Sequence, residues 1–183
     1  MPWRYRRQPE DVCLPGYPPW LAATTRSRNQ VRPQSMQIRT LQPSELLPLL
    51  RLYEHLHEGE EQTPTVEQAT PAWTEALANP RCRYFGGFEA DQLVASCTIM
   101  VIPNLTRGCR PYGLIENVVT RREHRNKGWG KAVLSAALGF AWSSGCYKVM
   151  LMTGRKDEAV FRFYEGAGFN RHGKQAFIAR TEV

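Results

Sequence analysis

Leu114-Ile115-Glu116-Asn117-Val118-Val119 is a β-rich apolar run, Arg125-Asn126-Lys127-Gly128-Trp129-Gly130 is a basic turn, and Lys131-Ala132-Val133-Leu134 starts an apolar-periodic helix. The two glycines let backbone N–H groups approach a bulky anion, because neither carries a Cβ. The helix start behind them leaves several N–H donors unpaired and holds the positive end of the helix dipole. Strand, basic turn and helix in this order make a phosphate cradle. Gly-rich turns before helices are also ordinary connectors, so a second signal is needed. It lies one helix and one strand downstream, in Ala159-Val160-Phe161-Arg162-Phe163-Tyr164-Glu165-Gly166-Ala167-Gly168-Phe169.

Together the two blocks resemble the GNAT acetyltransferase superfamily. Its first motif, Arg/Gln-x-x-Gly-x-Gly/Ala after a strand, matches Arg125-x-x-Gly128-x-Gly130, and its second, Phe-Tyr-Glu-x-x-Gly-Phe, matches residues 163–169. The resemblance covers roughly residues 36–183 and is specific over 114–169. It implies a GNAT fold: an α/β domain with a mixed central sheet flanked by about four helices, in the order βααβββαβαββ.

Composition agrees with one domain. The chain has 183 residues, 42% of them hydrophobic, enough to bury a core. Its net charge is +7, but residues 1–35 hold six arginines against Glu10 and Asp11, which is +4 of that total. The basic character belongs largely to this leader, so nucleic acid is not an expected partner. Five cysteines (13, 82, 97, 109 and 146) form an odd set without metal-ligand spacing, so neither a disulfide framework nor a metal site follows. No run of 18 or more apolar residues marks a membrane span, and a reducing, cytoplasmic setting is expected.

Residues 1–35 carry six prolines and no periodicity, which predicts a flexible Pro/Arg-rich arm, possible upstream of a natural start at Met36. An arm anchored through Trp3, Tyr17 and Trp20 is the alternative. The domain over 36–183 then reads as follows. Residues 36–41 alternate as a first strand. A helix runs from Pro43 to about His57, and a second over 66–77 is broken or late-starting because of Pro71. Runs at 81–89 and 93–102 make a hairpin around Ala90-Asp91-Gln92. Tyr112 to Thr120 is the central strand, 128–144 the cradle helix, 146–152 a buried strand, and Asp157 to Gly166 the last helix with Asp157 as its cap. Residues 169–173 and 175–180 read as two closing strands.

The resemblance implies acetyl-CoA as cosubstrate and assigns its site. Backbone amides from Arg125 through Asn126, Lys127, Gly128, Trp129 and Gly130 to Lys131 hold the pyrophosphate. Val118 and Val119 contact the pantetheine arm through their backbone where the family's central strand bulges. Tyr164 is the expected acid for the departing thiolate, since a phenol stays protonated at neutral pH. The family's cofactor-contacting Asn is Asp157 here, which accepts a hydrogen bond but cannot donate one through an amide.

Glu116 is the candidate base for the amine, directly or through water, or else an edge carboxylate facing solvent. Strand alternation sends Glu116 and Val118 to one face. Asn117 is a pocket hydrogen-bonder or a surface residue. His124 and His172 are expected to be exposed, Arg121 to be a solvated charge, and His55 and His57 to border the acceptor loop.

Within the superfamily, residues 115–119 and 145–149 look most like glucosamine-6-phosphate N-acetyltransferases. Arg107 and Arg110, in the loop before the central strand, are positioned in sequence to grip a sugar phosphate. The expected partner is therefore a small-molecule amine, with a peptide amine or a non-catalytic acyl-CoA-binding module as alternatives. Family members are often dimers through the C-terminal strands or the sheet edge, so a homodimer is a possible partner state.

Overall fold

The computed structural model describes residues 36–56 and 63–181. The arm expected at 1–35, and His57, lie outside the described residues. Five strands form one sheet: β1 (Gln37–Thr40), β2 (Cys82–Glu89), β3 (Gln92–Ile102), β4 (Tyr112–Thr120) and β5 (Val149–Leu151). Four helices accompany them: α1 (Leu46–Tyr53), α2 (Val66–Ala78), α3 (Trp129–Ser143) and α4 (Glu158–Glu165). The strands lie in chain order, β1-β2-β3-β4-β5. The first three pairings are antiparallel and β4–β5 is parallel. This mixed sheet with its four helices is the expected fold. Among the described residues no helix is long and apolar enough to cross a membrane.

The core has two halves, one on each face of the sheet. Ala95, Cys97, Ile99 and Ile115 pack against Trp129, Val133, Leu134 and Ala137 of α3. On the other face Phe88, Leu93 and Val119 pack against Leu49, Leu50 and Leu52 of α1 and Trp73 of α2. Arg39 ties β1 to the entrance of α1 through a two-pronged pair with Glu45, at 2.9 and 2.6 Å. Glu45 also accepts the Gln42 N–H at 2.6 Å, closing a capping box.

Several elements differ from the sequence reading. Helix α1 ends at Tyr53, short of His57. Helix α2 runs unbroken through Pro71. Thr65 and Gln68 cap its start reciprocally, and Thr70 Oγ1 donates to the Val66 carbonyl at 2.7 Å. Pro71 and Glu67 are exposed, so the carbonyl that loses its N–H partner faces water. Strand β5 is shorter than the 146–152 run.

The two closing strands do not form: residues 169–180 are turns and irregular backbone. Arg171 folds this segment back onto α4, pairing with Glu158 at 2.8 Å and Glu165 at 2.7 Å. Arg121 is not simply solvated, since its Nε donates to the Leu93 carbonyl at 3.0 Å.

Candidate active site

The site begins with one extra residue. On β3 the pairing steps from Ser96 (opposite Val119) to Thr98 (opposite Glu116), so β4 fits three steps where β3 has two. The surplus is taken up at Asn117, whose φ of 54° lies in the left-handed region. Asn tolerates that region better than a β-branched residue would. This is the expected bulge.

It also corrects the expected facing of the strand. Ile115 and Val118 pack toward the α3 side, whereas Val119 belongs to the α1–α2 side. Glu116, next to Ile115, therefore faces the α1–α2 side, opposite to Val118, because the bulge interrupts the two-residue period.

Beyond the bulge the sheet splits. The β4–β5 ladder ends at Ile115 opposite Leu151, so residues 116–120 have no strand on that flank. A cavity of roughly 1140 Å³ opens there. Residues 115–120, the turn before α3, residues 152–155 and α4 form its walls.

The turn is built around Gly128, which caps α3 with φ 89°, a conformation a side chain strains. A Cβ on Gly130 would stand 3.0 Å from Phe163 Cζ and 3.1 Å from Thr120 Oγ1, so this glycine lets α3 close onto α4 and β4. The Ala132 N–H donates to the Gly128 carbonyl at 3.0 Å. The amides of Trp129, Gly130 and Lys131, one turn earlier, precede that bond and are the donors a helix start leaves over. They sit on the cavity wall, as do Arg125 and Asn126.

Arg125 braces the turn, donating to the Thr120 carbonyl and to the His55 carbonyl, each at 3.3 Å. Trp129 is buried in the α3 core, so only its backbone is available to a ligand. Lys127 is exposed and outside the cavity wall. The open strand flank, the left-handed glycine cap and the free helix-start amides together fit an extended ligand ending in phosphates.

Tyr164 stands across the cavity from this turn. Its ring packs against Phe163 at 4.9 Å and Phe169 at 6.3 Å between centroids. Burial raises its phenol pKa, Arg155 nearby lowers it, and Glu116 raises it. The phenol thus stays protonated further into alkaline solution. Tyr164 feels Glu116, and both line the cavity. Partial burial pushes the Glu116 carboxyl above its ordinary value, toward a proton acceptor of useful basicity. Asp157 caps α4, its Oδ1 accepting the Val160 N–H at 3.0 Å, and it borders the cavity.

The remaining candidates divide between the cavity wall, where His55 and His124 lie, and other surfaces. Arg107 and Arg110 are not on the cavity wall; Arg110 donates to the Gly145 and Cys146 carbonyls at 3.4 and 3.2 Å, beside the opposite end of β4. His55 borders the cavity, whereas His172 is exposed and away from it. His124 is not exposed as expected. It is 7% accessible, with Nε2 2.9 Å from Glu89 Oε2, a partner 35 residues earlier that no local pattern announces. Sequence reading also passed over Arg155 and Arg180, both on the cavity wall. The basic run Arg155-Lys156 directly after a strand could have signalled the first.

Comparison with known proteins agrees with this geometry. A family model described as the acetyltransferase (GNAT) family matches residues 46–169. The glucosamine 6-phosphate N-acetyltransferase of Trypanosoma brucei brucei is 34% identical over 140 residues, 76% of this chain and 92% of that protein. Among solved structures, one from Agrobacterium tumefaciens superposes with a TM-score of 0.75 at 40% identity, covering 79% of this chain and 99% of its own. A Trypanosoma brucei acetyltransferase superposes with a TM-score of 0.66 at 29% identity, covering 80% of this chain and all of its own.

Proposed function

The chain belongs to the acetyltransferase (GNAT) family and is an acetyltransferase enzyme, and from that premise we propose that it moves the acetyl group of acetyl-CoA to the primary amine of a small molecule. The acceptor class we propose is an amino-sugar phosphate, as the name of the trypanosome relative suggests for this chain. The observation that carries the reading is the split between β4 and β5, with the Gly128-capped turn, Tyr164 and Glu116 on the walls of the cavity.

When bound, acetyl-CoA supplies an acetyl group on a thioester. The amides of the stretch from Arg125 to Lys131 would hold its pyrophosphate, with Arg125 and Lys131 adding positive charge. Asp157, on the cavity wall, would border the same ligand. The backbone of Val118 and Val119 would pair with the pantetheine, and the Val118 N–H, turned by the bulge, would face the charge that develops on the thioester oxygen. Glu116 would take the proton that the ammonium must lose, directly or through one water, and Asn117, on the same wall, would border the acceptor. Tyr164 would give its proton to the departing sulfur.

Arg107 and Arg110 do not reach this cavity. A phosphate on the acceptor would instead meet Arg155 and Arg180, which line it. The working particle in this reading is a homodimer. β5 offers an open edge among the described residues, and the segment after α4 exposes Phe177 at 92% and Ile178 at 68%.

The test is thiol release from acetyl-CoA with glucosamine 6-phosphate, aminoglycosides, polyamines, amino acids and a Lys peptide in parallel. Turnover greatest with glucosamine 6-phosphate supports the acceptor class. Turnover only with the peptide overturns it while keeping the enzyme. No turnover and no thermal stabilisation by acetyl-CoA would sink the cofactor assignment, since ligand at about 100 times its Kd adds about 2.7 kcal/mol.

A further inference from the structure

The Tyr53 hydroxyl, at the last residue of α1, is buried, and so is Thr98 Oγ1 on the facing side of β3; neither makes a hydrogen bond of standard geometry. Buried hydroxyls without partners are uncommon and ask for a reason. These two meet beside the bulge. Thr98 pairs in register with Glu116, and the Tyr53 hydroxyl lies within electrostatic reach of the side chains of Thr98 and Asn117 without closing a hydrogen bond to either. Helix α1 rests on β3 and β4 here, with the Tyr53 ring packed against the α1–α2 core. Three polar tips from three elements thus converge under the one β4 residue with positive φ.

A left-handed non-glycine residue persists where its surroundings over-determine it. Flipping Asn117 back to an extended conformation would return β4 to regular alternation and turn the Val118 N–H away from the cleft. We propose that Tyr53, with Thr98, is a positioning residue that clamps the Asn117 side chain, holding the bulge and hence the Val118 amide in the orientation acetyl transfer needs. The donors and acceptors suffice for this. The phenol can donate to the Asn117 carboxamide oxygen, and the Thr98 hydroxyl can donate to the phenol oxygen. The hydroxyl of Tyr53 never touches the reacting atoms; it acts through the backbone of residue 117. The proposal deepens the reading above and rests on it only for the rate measurement.

Tyr53→Phe removes the hydroxyl and keeps the packed ring. In the free protein, the Val118 amide should give one sharp NMR resonance in the wild type, and a broadened or doubled one in Y53F. An unchanged, sharp Val118 resonance in Y53F overturns the clamp, whatever the enzyme's substrate. The rate gives the second arm. Y53F should lower kcat about tenfold with the KM for acetyl-CoA unchanged. In an Asn117→Gly background the same change should cost less than about twofold, because glycine holds the left-handed conformation unaided. Equal losses in both backgrounds would mean that Tyr53 acts on the acceptor and not on the bulge, and would overturn the inference. A wild type that binds no acetyl-CoA would instead strike the proposed function, leaving the free-protein resonance to decide the clamp.

Discussion

Tyr164 and Glu116 carry the sharpest consequences at the scale of single residues. Tyr164→Phe should lower kcat about 100-fold, the usual size of one acid's contribution, with the KM for acetyl-CoA nearly unchanged. The alkaline fall of kcat should sit above the ordinary tyrosine range, because burial holds the phenol protonated. Glu116 must be ionised to accept a proton, so activity rises as pH rises through its pKa. Burial raises that pKa, and the acid limb of kcat/KM should lie above the ordinary glutamate value. In Glu116→Gln this limb should vanish along with most of the rate; a pH profile that keeps its shape would assign the base to another group.

Both residues stood out in the sequence as candidates, Tyr164 from the motif around it and Glu116 as a carboxylate set in a β-rich run, and both line the cavity. Their setting did not stand out. The facing of Glu116 depends on a bulge whose register is fixed by β3. The burial of His124 depends on Glu89, and Tyr53 reaches the site only through tertiary packing.

Among the elements, the entrance to α1 makes a pH-dependent contribution to stability. Arg39 holds the Glu45 carboxyl below its ordinary value, with the Gln42 amide adding to the effect. Because the folded value lies below the unfolded one, this stability is present above the unfolded pKa and is lost as pH falls through the folded pKa. Arg39 is 35% exposed and Glu45 15%, so the pair itself is partly screened. Glu45→Gln should cost about 0.5–1 kcal/mol at pH 7, the discounted pair alone, since the glutamine amide oxygen can still accept the Gln42 N–H. Urea unfolding at neutral and strongly acid pH checks this: the gap between wild type and variant should close in acid.

Element existence was readable wherever local pattern and packing agree, as in β4, α3 and the capped α4. The two closing strands could not be judged locally, because alternation in 175–180 does not name a partner strand and Arg171 is engaged with α4. Pro71 misled for a related reason: its cost depends on whether the orphaned carbonyl faces water.

For the molecule as a whole, the proposed dimer would use the β5 edge and the exposed Phe177 and Ile178. Light scattering should report about twice the 20.9 kDa chain mass, and Phe177→Asp with Ile178→Asp should shift it to one chain. A single-chain mass for the unaltered protein would remove the dimer from the proposal. The sheet has one more consequence. Strands β2, β3 and β4 follow one another with no helix between them, so the middle of the sheet can assemble as the chain leaves the ribosome. The parallel β4–β5 pairing must wait for the crossover through α3, as β1–β2 must wait for α1 and α2. The candidate cleft therefore lies along a seam of the sheet that closes late. In the proposed reading, acetyl-CoA should slow hydrogen exchange in β5 and α4 far more than in the β2–β3 hairpin, acting as a late fastening of that seam.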